Sequence, residues 1–170
     1  MKYPQNEIDY NGTKVLIEWI NTRDVEKYQP ITQVYGVVFN SKGEILICRE
    51  KETGEWQIAG GHPEEGEIVA QVLERELLEE VDVIVKDIIP LGTQRISFPD
   101  NPTKPIIYQV RCIATLDKLL PQTTDPASGN TWQRKFVQSK EVTSYVKWGI
   151  TGNAMFEDAI ETWRNSKAQI

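Results

Sequence analysis

Histidine and cysteine are scarce in this chain: His62, Cys48 and Cys112 are the only ones among 170 residues. That scarcity argues against a zinc centre of cysteine–histidine spacing. It also leaves too few cysteines for a disulfide-stapled fold. Both sit inside apolar, strand-like runs and read as reduced core residues of a cytoplasmic protein. Long hydrophobic runs are missing as well. The longest, Val15 to Ile20 and Val34 to Phe39, reach six residues, against the roughly 18 needed to span a bilayer. The opening MKYPQNEIDY has no apolar segment of the signal-peptide kind. Positive charge is in deficit, with 19 Lys and Arg against 25 Asp and Glu and a net charge of −6. Such a balance argues against general polyanion binding and against a stable nucleic-acid partner. A phosphate ligand would need positive charge supplied locally or by a metal. What remains is ordinary globular material, 39% hydrophobic and 26% charged, long enough for one domain with a real core.

Element signals alternate along the chain without a repeat. Lys14 to Ile20 reads as a strand after an Asn11-Gly12 turn. Val34 to Phe39 and Ile45 to Cys48 read as a hairpin turned at Gly43, and Trp56 to Ala59 as a short extended piece broken by Gly60-Gly61. Residues 68–81 carry a helical pattern. Val83 to Ile89 is β-branched and expected to end at Pro90, with GTQRISFPDNPTKP following as a long surface loop. Ile106 to Ala114 is the clearest strand, and another is expected around Trp132 to Val137. A short helix bearing Val142, Tyr145 and Val146 and a longer one over Ala154 to Arg164 close the chain. This order suggests a layered α/β sandwich over residues 1–170, with 1–30 as an N-terminal β extension.

The helix contains a conflict. At about 100° per residue, Val69, Val72, Leu73 and Leu77 share one face, and Glu76 and Glu80 fall in the middle of it. Glu79 stands at its edge, one turn from Arg75. Carboxylates on a half-buried face are costly unless a cation compensates them. Two readings are open here. Either the helix lies on the surface as a solvated charge run, or the glutamates converge on a divalent cation. In the second case hard oxygen donors without nearby Cys select Mg²⁺, Mn²⁺ or Ca²⁺.

The spacing decides between them. Gly61, five residues, Glu67, seven residues, then Arg75-Glu76-Leu77-Leu78-Glu79-Glu80-Val81-Asp82-Val83 closely resembles the Nudix box. That signature is Gly-x5-Glu-x7-Arg-Glu-U-x-Glu-Glu-x-Gly-U, with U a bulky aliphatic. Only Asp82 departs, standing where the family has glycine. Asp is among the few residues that tolerate the left-handed helix end a glycine would make, so a modest stability cost and intact chemistry are expected.

The resemblance implies a Nudix-type α/β/α sandwich with a mixed sheet and the characteristic loop-helix. It also implies a Mg²⁺-dependent pyrophosphohydrolase, with Mn²⁺ as a substitute, acting on a nucleoside diphosphate linked to another group. Carried over by position, Glu79 and Glu80 look like the main metal ligands and Glu76 like a ligand or the general base. Glu67 supports the cluster, Gly61 offers its carbonyl, and Arg75 holds the glutamates in place. Relatives often use a further glutamate on a later loop. Residues 115–140 offer only Asp117 and Asp125, neither in a convincing register. Candidate substrate contacts are Arg49 for a phosphate, Trp56 for base stacking and His62 beside the box. The N-terminal strand pair offers a surface for a homodimer, as in some relatives. Two alternatives stay open: a Nudix-fold binding or sensor module without catalysis, and a related isoprenyl diphosphate isomerase. The full set of box carboxylates counts against the first. The absence of an obvious motif around Cys48 or Cys112 counts against the second.

Overall fold

Asn11 and Gly12 both take positive φ, 52° and 79°, the geometry whose twist matches a two-residue hairpin. They join β1 (Gln5–Tyr10) to β2 (Thr13–Asn21). The computed structural model that shows this describes residues 2–168. β3 (Ile31–Phe39) turns through Gly43 into β4 (Glu44–Arg49), and β5 is the two-residue Gly60–Gly61. Next come α1 (Val69–Val81), β6 (Val83–Ser97), β7 (Ile107–Leu119), β8 (Gln133–Gln138), α2 (Val142–Tyr145) and α3 (Gly149–Ala168).

One mixed sheet of order β1-β2-β6-β7-β3-β4-β8 carries them, with β5 paired beside β3. β3 and β7 run parallel and the other pairs antiparallel. Alternation along β3 divides the interior in two. Val34 and Val38 join Val72, Leu73 and Leu77 of α1. Val37 and Phe39 meet Met155, Phe156 and Ala159 of α3 on the opposite face. Each such side chain contributes about 1.5–3 kcal/mol when fully buried, so the expected α/β/α sandwich is held from both faces. No helix among the described residues is long and apolar enough to cross a membrane.

Two expectations are corrected. β6 does not stop at Pro90, and Gly92 to Pro105 is not one loop: the strand continues to Ser97. Pro90 lies at a register shift of the β6–β7 ladder, a position that tolerates the missing N–H. Residues 92–96 then pair with β2 on one side and β7 on the other, and Ser97 with β2, so neighbours outweigh the local proline and glycine signals. The last helix is also longer than Ala154 to Arg164. Its first turn is fastened by Asn6, whose Oδ1 accepts the Thr151 N–H (3.0 Å) while its Nδ2 donates to the Trp148 carbonyl (3.0 Å). The N-terminal hairpin thus continues the sheet and grips α3. Trp19, 1% exposed, donates from Nε1 to Asp158 (2.6 Å).

Candidate active site

The carboxylates of α1 meet β5 edge-on. Gln71 accepts the Ile68 N–H (3.0 Å) to start the helix, and its valine and leucine stripe seats it on the sheet. Glu76 and Glu80 share that stripe and come up against Gly60 and Gly61. A Cβ on Gly61 would collide with the Glu76 carboxylate, and one on Gly60 with the β3 backbone. Glycine is required there for close approach. The Gly60 N–H donates to Glu80 Oε2 at 3.1 Å.

Arg75 organises the rest. Its Nε and Nη2 grip the Glu67 carboxylate (2.8 and 2.9 Å), and Nη1 donates to Glu76 Oε1 (2.8 Å). Glu79 lies 3.5 Å from the same Nη1, and the His62 carbonyl accepts from Nη2 (2.9 Å). A bidentate guanidinium–carboxylate pair fixes direction as well as charge, so the box loop and the helix are locked together through one residue.

This leaves the charges unevenly matched. The Arg75 guanidinium and the Glu64 backbone N–H draw the Glu67 carboxyl down from 4.5 to about 2. Burial pushes Glu76 up despite Arg75, with repulsion from Glu79 and Asp125 adding to it. Glu80 is pushed up to about 8, mainly by burial, and further by Glu76, Asp125 and Glu50; the Gly60 N–H opposes this only in part. Among the described residues no Lys or Arg lies within ion-pair distance of Glu80. A half-buried carboxylate without a cation, Glu80, next to one shared with Arg75, Glu76, suits a hard divalent cation. Among the described residues no three acidic or imidazole groups already stand as a coordination cluster. Glu76 and Glu79 instead point at Arg75, so holding an ion requires their side chains to rotate.

Beside this cluster opens a cavity of about 530 Å³, between β2, β6 and β7 and the first turn of α3. Tyr35 forms part of its wall and links the two places. Its hydroxyl is held above the ordinary value by burial, and it feels Arg111, Glu80 and Glu76. Trp148, Gln57, Gln94 and Arg111 also line the cavity, and no carboxylate does.

Of the sequence candidates, Glu67, Arg75, Glu76, Glu79, Glu80 and Gly61 are brought together. Arg49, Trp56 and His62 do not line the cavity. The Arg49 guanidinium lies 4.5 Å from the Trp56 ring and donates to Gln133 (2.7 Å), and the His62 ring contacts the Thr32 carbonyl (2.8 Å). Asp125, which had no convincing register, stands near enough to perturb Glu76 and Glu80. Its own oxygens are taken by Ala127 N–H, Ser128 and Trp132 Nε1. Burial pushes Asp125 up, yet these donors together bring its carboxyl below the usual range. Glu50, just past β4, was missed, as were Tyr35, Gln94 and Trp148 of the cavity wall; of Tyr108 and Arg111, which alternate along one strand so that at most one can face a ligand, Arg111 lines the cavity. A strand-end acid next to Arg49 was the one available signal for Glu50. The wall assembles from strands far apart in sequence and leaves no local pattern.

The family model of the NUDIX domain matches residues 30–149. An RNA pyrophosphohydrolase of Photobacterium profundum is 35% identical over 72 residues, 42% of this chain and 40% of that protein. The alignment therefore spans less than half of that relative's length. Among solved structures, MutT from Aliivibrio salmonicida and Vibrio cholerae superposes with a TM-score of 0.56 at 23% identity, covering 78% of this chain and 98% of its own. A NUDIX hydrolase from Nitrosomonas europaea gives 0.57 at 17% identity, covering 76% and 88%. A Bacillus subtilis pyrophosphohydrolase gives 0.55 at 19%, covering 78% and 77%. At these identities the superpositions carry the fold alone.

Proposed function

The chain belongs to the NUDIX family, and from that premise we propose that it hydrolyses a diphosphate bond in a nucleoside diphosphate linked to another group. Glu76, Glu79 and Glu80 would hold the divalent cation, Mg²⁺ or Mn²⁺, with the Gly61 carbonyl beside them. The observation that carries this reading is Glu80: a half-buried carboxyl on a core-facing stripe, raised to about 8, with no cation of its own among the described residues. The Gly60 N–H alone donates to it and does not offset its burial, whereas a metal site needs an acid.

When bound, such a cation neutralises charge on the diphosphate oxygens and acidifies water. The chain's residues do the rest. Arg75 ties Glu67 of the box loop to Glu76 and Glu79 of α1, so side-chain rotation alone would reorient the helix carboxylates. Glu76, whose carboxyl is raised by burial, would serve either as a further ligand or as the base that takes a proton from the attacking water. Tyr35 and Trp148 form aromatic walls for the attached group in the neighbouring cavity. Arg49, stacked on Trp56, and His62 are the outer phosphate contacts in this reading.

The buried, unpaired Cys48 and Cys112 accord with a cytoplasmic setting. Exposed Ile8 and Tyr10 on the terminal strand β1 offer a homodimer contact, which a clean monomer in sedimentation would refute.

The reaction is tested with Mg²⁺ and a panel of nucleoside triphosphates, ADP-ribose, diadenosine polyphosphates and a 5′-triphosphate RNA, wild type beside Glu80→Gln. Turnover of a panel member that disappears in Glu80→Gln supports the reading. Metal binding without turnover of any member would favour a binding module instead.

A further inference from the structure

The cavity beside the carboxylate cluster carries the opposite charge. Arg111 and Lys147 line it and no acid does, although the chain as a whole has a net charge of −6. Among the described residues neither cation takes part in an ion pair. The positive end of α3 meets the same space through Gly149 and Thr151, and the first turn of that helix holds no acid to balance it.

A helix end or an exposed lysine is commonly answered by water. Arg111 is a different case, because it is 3% exposed. Its Nη2 donates to Gln94 Oε1 (2.7 Å) and Gln109 Oε1 (3.0 Å), and its Nη1 to the Val110 carbonyl (3.2 Å). Each of these acceptors is neutral, and Nε–H has no partner. The rings of Tyr35 and Trp148 lie 4.6 and 5.4 Å from the guanidinium carbon, which softens a buried cation without neutralising it. Burial draws the guanidinium down only to about 10, so its charge is present at neutral pH. Thr151, 1% exposed, also has an unpartnered hydroxyl. Buried polar groups in folded proteins are nearly always bonded. Among the described residues three such side-chain atoms are not, and two of the three belong to residues lining this cavity. A neutral acceptor could bond Nε–H but would leave the charge unanswered. An oxyanion supplies acceptor and countercharge together.

We propose that this cavity binds the oxyanion end of an organic ligand, a phosphate monoester or a carboxylate, with Arg111 as its buried countercharge. Arg111 Nε–H and the Thr151 hydroxyl are the waiting donors, and Lys147 adds an exposed cation. The volume of about 530 Å³ is that of a site for an organic molecule rather than a bare ion. Tyr35 and Trp148 give the rest of that molecule an aromatic surface. The site stands on these observations alone. Its extension, that the ligand is the group attached to the diphosphate, rests on the hydrolase reading above.

The test is calorimetric titration of the metal-free protein, where the carboxylate cluster has no ion to attract anions. Two matched pairs are compared, ribose 5-phosphate with ribose and glucuronate with glucose, and inorganic phosphate is titrated beside them. At least one of the two acids is expected to bind about tenfold or more tighter than its neutral partner, the scale of one charge-assisted bond. Arg111→Met should abolish that difference, and Arg111→Lys should restore only part of it. Lys147→Met, an exposed change, should weaken the acid by about two- to fivefold. No binding of either acid at millimolar concentration, equal binding of acid and neutral sugar, or a preference retained in Arg111→Met would overturn the proposal. Should Arg111→Met not fold, a preference unchanged in both Thr151→Val and Lys147→Met does the same. Inorganic phosphate binding more tightly than either sugar acid would overturn the organic ligand in favour of a free ion. No turnover is read, so failure of the hydrolase reading and failure of this site are seen separately.

Discussion

Asp82 holds Thr123 by both main chain and side chain: the Thr123 N–H donates to Asp82 Oδ2 at 2.8 Å and its hydroxyl to Oδ1. Asp82 is the one departure from the box, and it takes the left-handed conformation (φ 51°, ψ 48°) that a glycine would take there. It is also 5% exposed. The Leu120 N–H donates to its carbonyl (2.9 Å), and Arg134 bonds the last carbonyls of α1. The departure therefore ties the end of the carboxylate helix to the loop that carries Asp125. Glycine could end the helix but could not hold the loop.

Replacing Asp82 separates these two roles. Asp82→Ala suffers left-handed strain and loses both side-chain bonds, and is expected to destabilise by about 2–4 kcal/mol. Asp82→Gly is spared the strain and should fall closer to wild type. Both should speed proteolytic cleavage within residues 120–131. Urea unfolding with limited proteolysis reads the two effects, and a loop as protected in both variants as in wild type would refute the tether.

Glu80→Gln should lower turnover by about two orders of magnitude or more, the scale on which catalytic electrostatics act. It should leave the metal-free protein at least as stable at pH 8, because the amide keeps the neutral form that burial favours. Added Mg²⁺ should raise the melting temperature of wild type, since it binds only the folded state. A matching rise in Glu80→Gln would place the ion elsewhere.

Stability of the metal-free protein should change with pH in a direction fixed by two carboxyls. Glu80 is raised from 4.5 to about 8 on folding, so its contribution is full below 4.5 and is lost as pH climbs through 8. Glu67 is lowered to about 2, so its contribution is present above 4.5 and lost as pH falls toward 2. Melting temperature should peak in mildly acid buffer and fall between pH 5 and 8, by roughly 2–4 °C per kcal/mol withdrawn. Metal affinity should rise over the same window, because the ion displaces the Glu80 proton. A profile flat from pH 5 to 8, or one shared by Glu80→Gln, would contradict the assignment.

Gly61→Ala tests the close approach of β5 to the helix. The new methyl meets the Glu76 carboxylate, which must swing away. Overpacking of this kind costs about 1–3 kcal/mol, and turnover should drop at least about tenfold because Glu76 leaves its place. Circular dichroism melting beside kcat separates the two effects, and unchanged kcat would exclude Glu76 from the reaction.

Much of the carboxylate centre was legible because its information is local. Spacing puts Glu76 and Glu80 on the stripe of Leu73 and Leu77, and one arginine between Glu67 and Glu79 can serve those two and Glu76. The hairpin turned at Asn11-Gly12 was readable for the same reason. β6 was not, because its continuation through Pro90 to Ser97 depends on ladders with β2 and β7 rather than on its own residues.

By itself the sequence determined the family and the helix with its misplaced acids, since each is a matter of period and spacing along one segment. Only the tertiary structure decided what stands beside that helix. Asn6 and Ile17 from the first hairpin, Tyr35 from β3, Arg111 from β7 and Trp148 before α3 form one wall. No spacing rule connects them, because sheet order and the docking of α3, not sequence separation, set their distances.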